Sequence, residues 1–194
     1  MTVAPREISS PLLTYEAYLA EGEVFQRYYI LDGVRIFMPD PTRRHQRILG
    51  NVYRHFHDFE VRSGRGQAIM APQDVLITRT PLRTRQPDVL FISHEQLGKC
   101  KGDSDPEPLL AAPELVVEIL SPSETRRARL DKIQDYCKVG VRECWVVSPD
   151  RETVEVMRLA TQSAETVATY GQSETIHSVL YPDLAVPVVQ VFAV

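Results

Sequence analysis

The segment ELVVEIL, residues 114–120, constrains the fold of this chain more than any other stretch. It is apolar enough for a central strand that is buried on both faces, which is typical of parallel sheets. After it, Ser123 predicts the cap of a helix that runs to about Val139, with Gly140 where a helix commonly ends. The strand-like run ECWVVS follows. A strand, a helix and a strand in this order predict parallel pairing, and hence an α/β fold.

The segments before this unit predict two helices and a hairpin. Thr14 is suited to cap a short helix that ends near Gly22. Residues Thr42 to Val61 carry apolar side chains at spacings of three and four, which predicts a second helix. Between these helices, Asp32-Gly33 joins two short apolar runs and predicts a β-hairpin that opens the sheet.

Further strands are predicted in the rest of the chain. Three runs separated by polar turns, one of them RTPLRTRQ, are expected to be neighbours in one sheet: QAIM, DVLIT and PDVLFI. After Arg151, three shorter edge strands are predicted in TVEVMRL, ETVATY and VPVVQVFAV. The expected fold is α/β (α+β), with a central mixed sheet, flanking helices and an N-terminal hairpin. One domain is expected over residues 1–194, with its core at about 14–150.

Composition and charge exclude several classes of protein. No apolar run approaches the roughly 20 residues of a membrane span, and the first residues lack the apolar stretch of a secretory signal. A cytoplasmic protein that does not bind membranes is therefore expected. The three cysteines have no C-x-x-C spacing, so they are expected to be reduced and partly buried. The formal net charge of −4 argues against a protein that coats nucleic acid by bulk electrostatics.

Arginine makes up most of the basic residues and is clustered. Of 22 basic residues 18 are arginine, with six in residues 43–65 and three in residues 126–129. Arginine suits bidentate contact with phosphate, which makes these clusters candidates for binding nucleic acid. The alternative is a set of solvated helix faces. The candidate residues are Arg43, Arg44, Arg126 and Arg127.

Three acidic residues, Asp74, Asp88 and Glu118, occupy strand-like positions where a solvated carboxylate is unusual. A carboxylate among Leu, Val and Ile costs several kcal/mol of desolvation unless it is paired, protonated or bound to a metal. Near the same end of adjacent strands, Asp88 and Glu118 can share Mg²⁺ (or Mn²⁺), which needs only one or two protein carboxylates beside substrate phosphates. The alternative is that Glu118 lies at an exposed strand end beside an arginine.

The helix after Glu118 carries a candidate partner for this acid. Ala128, Lys132 and Tyr136 are spaced four residues apart and therefore share one face. Lys132 can lean toward the sheet, where it would polarise an attacking water or balance charge on a phosphate. The alternative is an ordinary exposed lysine that pairs with Asp135.

The linked motifs PDV, VVEILSPS and GVRECW, with a lysine and a tyrosine on the helix, resemble the Uma-two family of restriction endonucleases over about residues 14–150. That family is similar in fold to the PD-(D/E)XK nucleases. By position, the resemblance makes Asp88 and Glu118 the two motif acids. Leu120 stands where the usual motif lysine would be, so the resemblance implies that Lys132 supplies the lysine from the next helix.

Three further positions follow from the same resemblance. His45 matches a histidine at a helix start, where it can contact phosphate or position water, or simply cap and pack. Tyr29 stands where the family commonly has a glutamate, which removes an acid near the metal. Ala128 stands where it commonly has an aspartate four residues before the lysine, which removes a salt bridge that would orient the lysine.

The resemblance implies a divalent-metal-dependent endonuclease that hydrolyses phosphodiester bonds of nucleic acid, with DNA as the expected substrate and a homodimer as the expected assembly. Asp74, Tyr136 and His45 are candidate supporting residues. Tyr29 and Ala128 keep open a nuclease-fold module that has lost catalysis and binds nucleic acid or a protein. A third hypothesis is a structural domain that dimerises through edge strands of its C-terminal third.

Overall fold

The computed structural model describes residues 12–21, 24, 26–100 and 107–193. Its elements in chain order are α1 (Tyr15–Ala20), β1 (Tyr28–Leu31), β2 (Val34–Phe37), α2 (Arg43–Ser63), β3 (Gly66–Met70), β4 (Val75–Arg79), β5 (Leu82–Arg85), β6 (Val89–Ser93), α3 (His94–Leu97), β7 (Leu115–Ile119), α4 (Arg126–Val139), β8 (Glu143–Ser148), β9 (Thr153–Ala160), β10 (Ser163–Tyr170), β11 (Thr175–His177), β12 (Ala185–Pro187) and α5 (Val188–Val191).

A six-stranded mixed sheet in the order β10-β9-β8-β7-β6-β3 positions everything else. β7 and β8 run parallel, with Val117 opposite Trp145, and α4 connects them. The other neighbouring pairs of this sheet are antiparallel. Every residue of β7 is buried. The predicted parallel strand–helix–strand unit and the α/β fold class with a central mixed sheet are thereby confirmed.

Helices cover both faces of this sheet. Because side chains alternate along a strand, Val117 of β7 faces the core that contains Phe56 of α2, whereas Val116 faces the core that contains Ile133 and Tyr136 of α4. Glu118 follows Val117 and points to the same side as Val116, toward α4. The pleat of β7 therefore presents a carboxylate to the helix that carries the predicted lysine.

The predicted N-terminal hairpin is confirmed, but it does not open the central sheet. Asp32 and Gly33 have positive φ angles of 51° and 82°, as a two-residue hairpin turn requires. β1 and β2 form a two-stranded sheet of their own. That sheet adjoins β5, since the Ile30 amide donates to Thr84 Oγ1 at 3.1 Å.

The prediction that QAIM, DVLIT and PDVLFI are neighbouring strands is wrong for the middle one. β3 pairs directly with β6 in the central sheet, whereas β4 forms a separate hairpin with β5. β5 lies inside RTPLRTRQ, which is therefore more than a turn. Its alternation is hidden in the sequence because Arg83 and Arg85 take positions shielded from solvent, with side chains 11% and 3% exposed.

Helix ends agree with the sequence in most places. Thr14 and Thr42 cap α1 and α2 as predicted, whereas Gly22 lies outside the described residues. Thr125, not Ser123, caps α4, because its Oγ1 accepts from the Ala128 amide at 3.1 Å. Gly140 ends α4 in the left-handed conformation with φ 97°, as predicted.

The C-terminal segment VPVVQVFAV was predicted as a strand, which is wrong for most of its length. Only its first residues belong to β12, and α5 follows over Val188–Val191. Val188 and Val191 are buried one helical turn apart in the core beneath α2. Tertiary packing therefore overrides the strand preference of this valine-rich run. In the ranges that the structure describes, no helix combines the length and the apolar character needed to cross a membrane.

A buried cluster of charges fastens the β4–β5 hairpin to α4. Arg83 Nε and Arg85 Nε each donate to Asp135 Oδ2 at 2.7 Å. Both arginines also donate to Asp131, one turn earlier on the same helix. Asp135 is 0% exposed. Four charges with matched hydrogen bonds thus fix the position of α4 relative to the hairpin.

Replacing Asp135 by Ala is expected to lower the free energy of unfolding by about 3 kcal/mol or more, because the two shielded guanidinium groups lose their one fully buried carboxylate and keep only the more exposed Asp131 and Asp32. The matched control is Asp183→Ala, which breaks the exposed Arg65–Asp183 pair and should cost less than about 1 kcal/mol. Urea unfolding of both variants measures the difference. Equal losses would contradict the role given to the buried cluster.

Candidate functional site

The structure brings Asp88 and Glu118 together on neighbouring strands. In the antiparallel β6–β7 pair Val89 lies opposite Val117, so Asp88, just before β6, faces Glu118. The Asp88 amide donates to the Val117 carbonyl at 3.1 Å, and Asp88 Oδ2 accepts from the Ile119 amide at 2.8 Å. The residues are only 8% and 5% exposed. Two carboxylates are therefore held side by side out of bulk solvent.

Two side chains from α4 complete the surroundings of Glu118. Lys132 Nζ donates to Glu118 Oε2 at 2.6 Å, and the Tyr136 hydroxyl donates to Oε1. Their spacing of four residues places both groups on one face of the helix, as the sequence indicates. The alternative pairing of Lys132 with Asp135 is not what the structure shows, since Asp135 accepts from the β5 arginines.

The electrostatics of this cluster favour an additional cation. Burial raises the pKa of Glu118, the charge of Asp88 adds to that effect, and Lys132 opposes it. Burial alone would lower the pKa of Lys132, but the charges and hydrogen bonds of Glu118 and Glu124 raise it. The pKa of Tyr136 is raised by burial and by Glu118. Lys132 therefore offsets only part of the unfavourable effect of burial and of Asp88 on the ionised Glu118 carboxylate, and a further cation beside it would offset more.

Glu124 is a member of the cluster that sequence reasoning missed. Its Oε1 lies 2.9 Å from Lys132 Nζ, and its side chain is 14% exposed. It stands one residue before the cap Thr125, outside the helix, and eight residues before Lys132. An acid just before a helix cap, ahead of a lysine whose side chain leans back toward the helix N-terminus, is the signal that could have found it.

His45 reaches the acid pair from the other side. It lies in the first turn of α2, where its amide donates to Thr42 Oγ1 at 3.1 Å. Its Nε2 is 3.5 Å from Asp88 Oδ2. Its Nδ1 is buried and has no hydrogen-bond partner among the described residues. The structure therefore brings His45 next to Asp88.

The Asp74 carboxylate, by contrast, forms its hydrogen bonds with residues outside the acid pair. Its carboxylate accepts from the Tyr18 hydroxyl at 2.6 Å and from Gln86 Nε2 at 3.3 Å. Burial raises its pKa, and these two hydrogen bonds oppose the rise. In residues 12–100 and 107–193, as far as they are described, no hydrogen bond or ion pair links Asp74 to the acid pair. Its contacts fasten α1 to the start of β4.

Tyr29 stacks on an arginine instead of supplying an acid. The Arg85 guanidinium carbon lies 5.2 Å from the centre of the Tyr29 ring, a cation–π contact. The same guanidinium is already paired with Asp131 and Asp135. The place of the missing glutamate is thus filled by an aromatic ring beside a neutralised cation.

The candidate arginines open the two helices that reach the acid pair. Arg43 and Arg44 begin α2, which carries His45, and Arg126 and Arg127 begin α4, which carries Lys132. All four residues are exposed. Arg44 also donates to the Pro149 carbonyl at 2.6 Å and to Glu152 at 3.0 Å, so its charge is partly engaged.

The acid pair fits a hard divalent cation that keeps part of its own coordination shell. Asp88 and Glu118 offer carboxylate oxygens, the ligands such ions prefer. In the described part of the chain, no group of three or more His, Cys, Asp or Glu residues is arranged to hold a metal ion. Mg²⁺ commonly takes one or two carboxylates and fills its other positions with water and substrate phosphate. The donor set matches that mode and not a site closed by protein ligands.

The central mixed sheet flanked by helices is the fold of the restriction-endonuclease-like class. The chain belongs to the Uma2 family, the Uma-two family of the sequence resemblance, which is described as "Putative restriction endonuclease" and whose pattern matches residues 14–189. The match extends beyond the expected 14–150 and includes the C-terminal strands.

A solved structure supports the same fold. The chain is similar to a crystal structure from Anabaena variabilis described as "a putative nuclease belonging to DUF820", with a TM-score of 0.75 and 18% sequence identity. The similarity covers 93% of this chain and 98% of the other. No curated protein matches the sequence.

Replacing Glu118 by Gln is expected to stabilise the protein increasingly as pH rises. Because burial raises its pKa, the folded state holds the Glu118 proton more tightly than the unfolded chain does. Below the ordinary value of 4.5 both states are protonated, and the effect is absent. Above it the unfolded chain loses its proton first, so wild type loses stability relative to Glu118→Gln until the folded-state pKa is passed.

Urea unfolding at a series of pH values measures this difference. Glu95→Gln is the control, because Glu95 is 83% exposed and its loss should change stability by less than about 1 kcal/mol at every pH. If wild type instead gains stability relative to Glu118→Gln as pH rises, the expectation is contradicted, and the charged carboxylate is net stabilised in the fold.

Proposed function

We propose that this protein is a Mg²⁺- or Mn²⁺-dependent endonuclease that hydrolyses phosphodiester bonds of DNA. The observation that carries the proposal is the 2.6 Å contact between Lys132 Nζ and Glu118 Oε2, on a carboxylate that faces Asp88. It joins a lysine to an acid pair although the two are 14 residues apart in sequence. Membership in a family described as restriction endonucleases supports the same reaction.

Asp88 and Glu118 would hold the divalent cation. When bound, such an ion supplies Lewis acidity and lowers the pKa of an attacking water. The Tyr136 hydroxyl fixes the Glu118 carboxylate by its hydrogen bond to Oε1, and the Ile119 amide fixes Asp88 in the same way. Because both acids are anchored by buried donors, their positions are set before substrate arrives.

Lys132 would act on the reacting phosphate. Its ammonium group has three N–H donors, and two of them meet Glu118 and Glu124. The third is left for the attacking water or a phosphate oxygen, where a fixed positive charge stabilises the charge that develops in the transition state. His45, with Nε2 beside Asp88, would help to orient that carboxylate or the water near it.

The exposed arginines at the starts of α2 and α4 would bind the DNA backbone. Arg43 and Arg44 adjoin His45 on α2, and Arg126 and Arg127 lie one to two turns before Lys132 on α4, so each pair belongs to a helix whose side chain contacts the acid pair. The overall charge of −4 makes this a local attraction and not a property of the whole surface. A cut through both strands needs two sites, so we expect two copies of the chain to act together.

Wild type is expected to bind Mn²⁺ in a calorimetric titration and to nick supercoiled plasmid with Mg²⁺ or Mn²⁺. Glu118→Ala and Asp88→Asn should lose metal binding and nicking, since each removes a carboxylate ligand. Lys132→Met should keep metal binding but lower the nicking rate about 100- to 1000-fold, as expected for loss of one transition-state donor. Glu95→Gln serves as the control and should behave as wild type.

Failure of wild type to bind metal or nick DNA would refute the nuclease proposal. Salt-dependent DNA binding without cleavage would then favour the alternative, a nuclease-fold module that binds nucleic acid. Tyr29 on Arg85, where an acid is expected, is the observation that favours this alternative.

Replacing Arg126 and Arg127 together by Ala should weaken DNA binding equally for all sequences. The slope of log K against log salt should become shallower by about 2, since each phosphate contact contributes about 0.9. The matched control is Arg54→Ala with Arg62→Ala, which removes the same charge from exposed positions farther along α2. Equal changes in both double variants would indicate bulk electrostatics and not contacts at the site.

A further inference from the structure

Lys132 is held by two carboxylates that come from different parts of the chain. Glu118 belongs to β7 and contacts Nζ at 2.6 Å, whereas Glu124 lies in the turn between β7 and α4 and contacts it at 2.9 Å. The Lys132 side chain is 23% exposed, so both contacts are largely shielded from water. Charge-assisted hydrogen bonds in such surroundings are stronger than at an open surface.

The two carboxylates that bind Lys132 differ in their other roles. Glu118 faces Asp88, and its oxygens are the ones that the proposed function assigns to the metal. Glu124 contacts Lys132 from the β7–α4 turn, whereas Asp88 comes from the neighbouring strand β6, opposite Glu118. The Glu124 carboxylate can therefore bind the Lys132 ammonium group even when the Glu118 carboxylate also binds a metal cation.

The backbone around Glu124 is itself fixed. The Glu124 amide donates to the Ser121 carbonyl at 3.0 Å, which closes a turn after β7. The next residue, Thr125, caps α4 through its hydrogen bond to the Ala128 amide. Glu124 is therefore anchored between the strand that supplies the acid and the helix that supplies the lysine. The backbone from which its side chain extends is thus fixed on both sides.

Ala128 lies in the first turn of α4, between Glu124 in the preceding turn and Lys132 on the helix. It lies four residues before Lys132, is exposed, and carries no group that could pair with the ammonium. A glutamate at this spacing before a lysine is the favourable orientation for a pair on a helix. The position also lies in the first turn of α4, where an acid suits the helix dipole. A carboxylate can therefore be moved there without disturbing the cap.

We propose that Glu124 is a positioning residue that holds the Lys132 ammonium group beside the acid pair. This inference rests on the proposed nuclease function, but its structural part can be measured without it. Glu124→Gln removes the negative charge and keeps the shape of the side chain. The double variant Glu124→Gln/Ala128→Glu restores a carboxylate to the same helix face from another position.

The experiment uses nuclear magnetic resonance of the lysine ammonium groups together with plasmid nicking. The chain has only four lysines, so the Lys132 signal can be assigned by its absence in Lys132→Met. In wild type its N–H protons should exchange slowly with water. In Glu124→Gln their exchange should become about tenfold faster, as the loss of one charge-assisted hydrogen bond implies. Glu95→Gln is the matched control and should change only the signal of its partner Lys99.

In the nicking assay, Glu124→Gln should lower kcat about 10- to 100-fold with little change in KM, which is the size of effect expected from a residue that orients a reacting group. The double variant should recover much of kcat and the slow exchange. Unchanged Lys132 exchange in Glu124→Gln would overturn the proposal, as would faster exchange with an unchanged kcat. If wild type itself does not nick DNA, the nuclease proposal fails, and the exchange and rescue data alone decide whether Glu124 holds Lys132.

Discussion

The buried carboxylate of Glu118 is the constraint on which the rest of this structure depends. An acid in the most deeply buried strand of the sheet is tolerated only with partners, because removal of a charge from water costs several kcal/mol. Lys132 and Tyr136 supply those partners from α4. The face of α4 that carries Lys132 and Tyr136 must therefore pack on the sheet, and the segment between β7 and α4 must allow that packing. The contacts that fix the helix are thus the same contacts that form the candidate site.

A second set of charges, on a neighbouring face of α4, also fixes the helix. Asp131 and Asp135 bind Arg83 and Arg85 of β5, and they lie about 100° around the helix axis from Lys132 and Tyr136. The helix is thus held on the central sheet by a helix lysine that pairs with a sheet carboxylate. It is held on the β4–β5 hairpin by helix aspartates that pair with hairpin arginines. Neither set of ion pairs is strong evidence for net stability, since buried ion pairs often only break even against apolar packing. What they provide is a defined rotation of the helix about its axis.

The sequence predicts this architecture where regular periodicity and burial agree. The run around Glu118, the four-residue spacing of Lys132 and Tyr136, and the hairpin at Asp32-Gly33 all appear in the structure as expected. Prediction failed where charges or packing override local pattern. β5 is unrecognisable because its buried positions are filled by arginines whose partners lie about 50 residues away. α5 was missed because valines that favour strands are buried at helical spacing.

The site was predictable in its acids and lysine and less so in its supports. Glu124 is invisible to a search for paired acids, because its partner lies across a helix cap and not on a neighbouring strand. The roles assigned to Asp88, Glu118 and Lys132 remain predictions until metal binding and cleavage are measured. Asp74 shows the opposite error, since a buried acid in a strand-like run finds its partners in Tyr18 and Gln86.

Placing the lysine on a helix, and not two residues after the glutamate on the same strand, changes what the chain can vary. On one strand the pleat alone would set the distance between acid and lysine. Here that distance depends on how the segment from Leu120 to Thr125 connects β7 to α4. Surface loops usually accept insertions and deletions. This one carries Glu124, which contacts Lys132, and Thr125, which caps α4, so a change in its length would shift Glu124 relative to the lysine that it contacts.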